Sequence, residues 1–188
     1  KQKRTFEALT KLIQETADDI QYLESISNAL DIALSEADLA QIKEELMQSG
    51  YIRRKHTKKK VKLTSKPMHY ISSDGYDMYV GKNNLQNEEL TFSFANGNDW
   101  WFHAKGAPGS HVIVKSGGDE LPDRTFEEAG RLAAYYSKNR GADKVEIDYI
   151  QKKHVKKPNG AKPGFVVYYT NYSLVIDSDI SNIKNVQD

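Results

Sequence analysis

The chain has 188 residues, with 27 Lys+Arg, 26 Asp+Glu, no cysteine and a formal net charge of +1. That length suits one domain plus an accessory element. The missing cysteines exclude disulfides and thiolate metal sites, and no run of about eighteen apolar residues is present to span a bilayer. The near-neutral total hides a split: residues 1–50 carry 5 basic and 10 acidic side chains, net −5, whereas residues 51–188 carry 22 and 16, net +6.

The chain opens on Lys1-Gln2-Lys3-Arg4, polar and without an initiating Met, and reads as part of a longer protein with no signal peptide in view. Phe6, Leu9, Ile13, Thr16, Ile20, Leu23, Ser27, Leu30 and Leu34 recur at alternating steps of three and four, the pattern of a helical seam with polar breaks. Ser35 with Asp38 three residues on predicts a capped second helix, with Leu39, Ile42 and Leu46 on one face and Gly50 at its end. Residues 1–50 are therefore expected to form a helical hairpin, the end of a coiled coil.

Residues 51–66 read as a basic linker that includes Arg53 and Arg54; from Leu46 to Ser73 there are eight Lys/Arg and no acid. Beyond it, residues 67–188 predict an α/β (α+β) domain with a mixed sheet. Residues 70–81 suggest a β-hairpin turning at Asp74-Gly75, the pair favoured in type I′ turns. Asn83 to Phe94 suggests a helix with Leu85, Leu90 and Phe94 inward. Trp100–Ala104 and His111–Val114 are strand candidates around a turn. Residues 123–140 predict a helix with Thr125 and Glu128 as a capping box, Phe126, Ala129, Ala133 and Tyr136 inward, and Gly141 beyond it. Val145–Ile150 alternates as a half-buried strand, with Asp143, Glu146 and Asp148 on its solvent side; Val166–Tyr169 and Leu174–Ile176 supply two more.

Chemistry concentrates in residues 99–114, where three aromatics, two histidines, a lysine and a Gly-Ala-Pro-Gly turn fall together. A glycine turn beside Lys105, Ser110 and His111 suits a phosphate or sugar, and an exposed aromatic there suits a stacked base. From Tyr149 to Ile176 the chain again holds no acid, but carries Lys152, Lys153, Lys156, Lys157 and Lys162. Two acid-free basic stretches point to a polyanionic partner. His103 and His111 with Asp99 match no short metal signature; no catalytic residue, metal site or cofactor is assigned, and an enzyme is not expected.

Asp99, the run Trp101–Lys105 and the run Pro108–Ile113 resemble the signature of the NFACT-R domain of the NFACT family. Gly81-Lys82-Asn83-Asn84-Leu85-Gln86-Asn87-Glu88-Glu89-Leu90-Thr91 resembles that domain's upstream signature, and Lys153–Pro158 with Gly160–Gly164 its basic segment. The likeness covers about residues 67–177, and the preceding helices are similar to the family's middle coiled coil. It implies a module that binds tRNA and the large ribosomal subunit, in a cytoplasmic, ribosome-associated quality-control factor that supports alanine tailing of stalled nascent chains. Members have also been described as fibronectin- or fibrinogen-binding adhesins, at the cell surface without an anchor. On this reading the nucleic-acid contacts would come from Lys82, Asn83, Asn84, Gln86, Asn87, Asp99, Trp101, His103, Lys105, Ser110 and His111, with Arg53, Arg54, Lys152, Lys153, His154, Lys156 and Lys157 around them.

Overall fold

A computed structural model describes residues 2–53 and 64–186. Arg54 and most of the basic run 53–62 lie outside the described residues. The expected hairpin is present, as α1 (Gln2–Ile32) and α2 (Glu36–Gln48). Ser35 and Asp38 form the expected reciprocal cap, each side chain bonding the other's backbone N–H.

The expected seam of α1 is corrected. Its buried side chains are Tyr22, Ile26, Asn28, Ala29 and Ile32, all in the C-terminal third. Phe6, Leu9, Ile13, Ile20, Leu23, Leu30 and Leu34 are exposed. Tyr22, Ile26 and Ala29 step by four and three, so they also form a continuous helical stripe, and that stripe meets Ile42 of α2. Periodicity finds both stripes, but only contact with a neighbour selects between them.

Seven strands form one sheet in the order β6-β5-β3-β4-β2-β1-β7. They are β1 (Met68–Ile71), β2 (Asp77–Val80), β3 (Trp100–Ala104), β4 (Val112–Val114), β5 (Val145–Gln151), β6 (Tyr172–Ile176) and β7 (Lys184–Asn185). Every pairing is antiparallel, rather than the mixture expected. Between β2 and β3 lie the short helix α3 (Asn84–Glu89) and a π-helical turn, Leu90–Phe94; α4 (Asp123–Tyr135) follows β4. Val166–Tyr169 contributes only a bridge from Val167 to Lys156, not the strand expected.

The alternation of strand side chains divides the core in two. Phe102, Ala104, Val112 and Val114 face α4, where they meet Ala129, Leu132 and Ala133. Trp101, Ile113 and Ile150 face the other way, against Leu90, Ala95 and Val155. The sheet is therefore covered on both faces, and two adjacent aromatics, Trp101 and Phe102, anchor opposite sides.

Two expected turn devices serve other purposes. In the β1–β2 hairpin Ser72 N–H bonds Tyr76 O and Gly75 N–H bonds Ser72 O, with φ +89° at Gly75 alone. That is a three-residue loop closed by a left-handed glycine, not the two-residue type I′ turn, which needs positive φ at both central residues. At α4, Pro122 is the N-cap and no side chain caps it. Thr125 Oγ1 instead donates to Asp74 Oδ2 at 2.8 Å, and Glu128 accepts from Ser73 N–H at 2.8 Å. The supposed capping box fastens the helix to the hairpin loop.

Candidate functional site

The upstream signature folds inside out. In α3 and its approach, Asn83, Asn84, Gln86 and Asn87 are buried while Leu85 is only partly so. Buried amides require partners, and these have them. Asn83 caps the helix by accepting from Gln86 N–H at 2.9 Å and donates to Gln41 of α2 at 2.7 Å. Gln86 donates to Gln41 and to Ser65, at 2.7 and 2.9 Å. Asn84 donates to Ser25 of α1 and to Glu45 of α2, at 2.7 and 2.9 Å. Asn87 accepts from His111 N–H at 3.0 Å. Lys82 Nζ meets the Asp38 carboxylate at 3.2 Å. The segment thus clamps the helical hairpin onto the sheet, and the side chains expected to contact nucleic acid here each have partners within the chain.

The second signature divides likewise. Asp99 is buried, accepts from Asn96 and Ser116 N–H groups and pairs with Lys115 at 2.5 Å. Trp101 is fully buried, so it stacks on no ligand, and its indole N–H has no hydrogen-bond partner among the described residues. Ser110 Oγ is similarly buried and unpartnered. Lys105 is exposed but pairs with Glu146 at 2.6 Å. His111 is buried, with Nδ1 2.8 Å from Thr91 Oγ1. His103, partly buried, stacks on the Trp101 ring at 5.6 Å and meets His111 edge-on at 5.5 Å. Burial pushes the His103 imidazole down to about 4, against the opposing pull of Asp148 and the backbone of Gly109 and Ala104. Burial and neighbouring His103 push His111 well below its ordinary value. Both rings are therefore neutral near pH 7.

His103, His111 and the glycine turn do converge on one place, a cleft of about 470 Å³. Its walls are the turn Gly106–Gly109, the loop 160–168, and Tyr22 and Ser25 of α1. Gly109 is obligatory, since a Cβ there would lie 2.9 Å from Ser137 Cβ across a backbone bridge. The loop 160–168 is held from two sides. Gly164 N–H donates to Glu88 of α3 at 3.2 Å, and Lys162 pairs with Asp19 of α1. Sequence reasoning missed the contribution of α1, because only the docked hairpin brings Tyr22 to the glycine turn.

Around the cleft the basic segment is uneven. Lys153, His154 and Lys156 are exposed, and no side-chain partner is found for them among the described residues. Lys157 pairs with Glu88 at 2.7 Å, and Lys152 Nζ lies 5.8 Å from the Phe92 ring centroid. Arg53 is exposed. Asp148, expected on the solvent side of its strand, is buried and accepts from Tyr168 OH and Ser173 Oγ at 2.8 and 2.6 Å.

An antiparallel sheet carrying a docked helical hairpin and a basic segment beside a glycine-turn cleft is the setting in which the family comparison falls. Residues 66–170 match the NFACT protein RNA binding domain, and residues 1–65 match the NFACT N-terminal and middle domains. The chain belongs to the NFACT family. It is 44% identical over 188 residues to the Rqc2 homolog RqcH of Streptococcus pneumoniae, covering 100% of this chain and 34% of that protein. To the Rqc2 homolog RqcH of Bacillus subtilis it is 38% identical over 188 residues, covering 97% of this chain and 32% of that protein. The chain thus spans about a third of the length of these curated relatives. The solved C-terminal structure of the fibronectin/fibrinogen-binding protein from Streptococcus suis superposes with a TM-score of 0.89 at 42% identity, covering 97% of this chain and 74% of that one.

Proposed function

We propose that this chain is an RNA-binding module of a ribosome-associated quality-control factor, and that it holds tRNA against the large ribosomal subunit while an alanine tail is added to a stalled nascent chain. The single observation that carries the RNA reading is the pair Lys153 and Lys156, exposed on an acid-free segment with no carboxylate partner among the described residues, and with His154 exposed between them. Cations left without carboxylates carry counterion-releasing affinity for phosphates. The match to an RNA-binding domain and the likeness to Rqc2 homologs support the same reading. Arg53, exposed just beyond α2, would add to the field.

The cytoplasm, on ribosomes, is the place such a role requires. The contacts proposed here are to phosphates through Lys153, His154, Lys156 and Arg53, rather than through the buried amides of α3. Binding of unmodified tRNA, followed by filter retention at low and at raised salt, tests the proposal. Affinity that falls linearly on a double-logarithmic plot supports it; absence of tRNA binding at low salt sinks it.

The name of the Streptococcus suis neighbour supports a second reading, a fibronectin-binding module. Tyr169 and Tyr172 are exposed aromatics available to such a partner.

A further inference from the structure

We infer that the cleft between the glycine turn, the loop 160–168 and α1 receives one unstacked nucleobase of the bound RNA, and that phosphates are held by the basic residues outside it. The inference rests on the RNA-binding reading above and names which part of the RNA this site takes.

Size and enclosure fit. The cleft holds about 470 Å³, within the range of sites that enclose a small organic ligand, and is more than a single planar base needs. It is built in advance: Gly164 is hydrogen-bonded to Glu88, Lys162 pairs with Asp19, and Gly109 packs backbone to backbone on Ser137. A binding surface held from three elements loses little freedom when occupied.

The electrostatics exclude a phosphate and admit a base. Lys162 is the lysine lining the cleft, and it is already neutralised by Asp19, while the lining also includes the Asp18 carboxylate. The two imidazoles in the wall are neutral near pH 7, because burial holds their pKa values down. An anion entering here would meet no net positive charge and would lose its hydration. A nucleobase is uncharged and brings a flat π face to aromatic walls. Tyr168 and His103 both pack on Trp101, which fixes those walls, and exposed Phe165 stands in the lining as a free ring. Recognition of RNA commonly takes this form, with a splayed base stacked on side-chain rings while basic groups nearby track the backbone. Lys156 is placed for that second role, since its backbone bridges Val167 in the loop that forms the wall.

The test uses two RNAs of equal length and charge, a hairpin with a single-stranded loop and a blunt duplex, and two variants. Ala161→Trp fills the mouth with an indole; Phe165→Ala removes an exposed ring and leaves the core intact. The wild-type chain should prefer the hairpin by about tenfold, the scale of one stacked base. Both variants should lose that preference, while duplex affinity and its salt slope stay unchanged. A folded variant pair that keeps the hairpin preference overturns the inference, as does competition by millimolar inorganic phosphate for the loop-dependent part of binding. Phe165→Ala decides the matter if Ala161→Trp fails to fold. If the wild-type chain binds neither RNA, the RNA-binding reading fails by itself. The cleft is then judged with uncharged adenosine, guanosine, cytidine and uridine, following the Trp101 indole resonance by NMR: a saturable shift abolished by Ala161→Trp retains the pocket, and no shift removes it.

Discussion

Lys82 Nζ lies 3.2 Å from Asp38 Oδ1, joining the first turn of the signature segment to the capping box of α2. The Asp38 side chain is almost wholly buried, and it also accepts from Ser65 Oγ at 2.5 Å and from Leu34 and Ser35 N–H groups at 3.0 and 3.2 Å. Burial alone would raise its pKa, but these hydrogen bonds and Lys82 outweigh that and hold it below the ordinary aspartate value. One carboxylate therefore caps a helix and fixes that helix to the sheet domain.

Asp38→Ala should destabilise the chain by about 3 kcal/mol, because it leaves a lysine and several N–H groups without their partner. Lys82→Ala should cost less. A double-mutant cycle in urea should show coupling of roughly 1 kcal/mol or more. Additive effects would mean that the pair does not hold the hairpin in place.

The basic segment should separate into binding and structural lysines. Lys153→Ala with Lys156→Ala should lower the slope of log K against log salt for tRNA by about 1.5, at roughly 0.7–0.9 per phosphate contact, without moving the melting temperature. Lys157→Ala should instead weaken the tie to Glu88 and alter the slope little. A quadruple change that also includes Lys152, but leaves the slope untouched, would remove the segment from the interface.

Acid should destabilise the chain through its histidines. His103 titrates near 4 in the folded state against an ordinary value of 6.5. The unfolded chain therefore binds protons first, and stability present above pH 6.5 is lost as pH falls through that window toward 4. His111 shifts in the same direction. Urea midpoints measured from pH 7.5 to 4.5 should fall by the equivalent of on the order of 2 kcal/mol, and His103→Gln should flatten the fall. A flat profile in the wild-type chain would mean that the two rings are solvated.

Glu45 should behave oppositely. It is fully buried, accepts from Tyr22 OH and Asn84, and has no partner for Oε2 among the described residues. Burial raises its pKa. A raised carboxyl contributes stability below its unfolded pKa that is lost as pH rises through the folded one. Glu45→Gln should thus raise the melting temperature at pH 8 and have little effect at pH 4. A lower melting temperature at pH 8 would show that the charged form is the one the site favours.

Fibronectin binding, where it occurs, should follow the same exposed cations and fall through physiological ionic strength, where the screening length is about 8 Å. Excess tRNA should displace immobilised fibronectin. Salt-resistant binding that tRNA cannot displace, and that Tyr172→Ala weakens, would instead establish a dedicated protein interface built on aromatic anchors.

The sequence by itself determined the elements whose signals are local. The Ser35–Asp38 cap depends on residues three apart, and the alternation of Val145–Ile150 follows from the pleat. The family likeness was equally legible, because it rests on contiguous runs such as Pro108–Ile113. Tertiary structure decided what those residues do. Asn84 and Gln86 read as free polar groups until one helix, α2, more than thirty residues upstream supplies Glu45 and Gln41 as partners. Thr125 and Glu128 have the spacing of a capping box, yet Asp74 and Ser73 of a distant hairpin capture them. The outer stripe of α1 is as periodic as the buried one, and only contact with α2 chose Tyr22, Ile26 and Ala29. Local spacing fixes which residues share a face or a cap; whether a polar group binds a ligand or a neighbour depends on which buried partner the fold brings within hydrogen-bond distance.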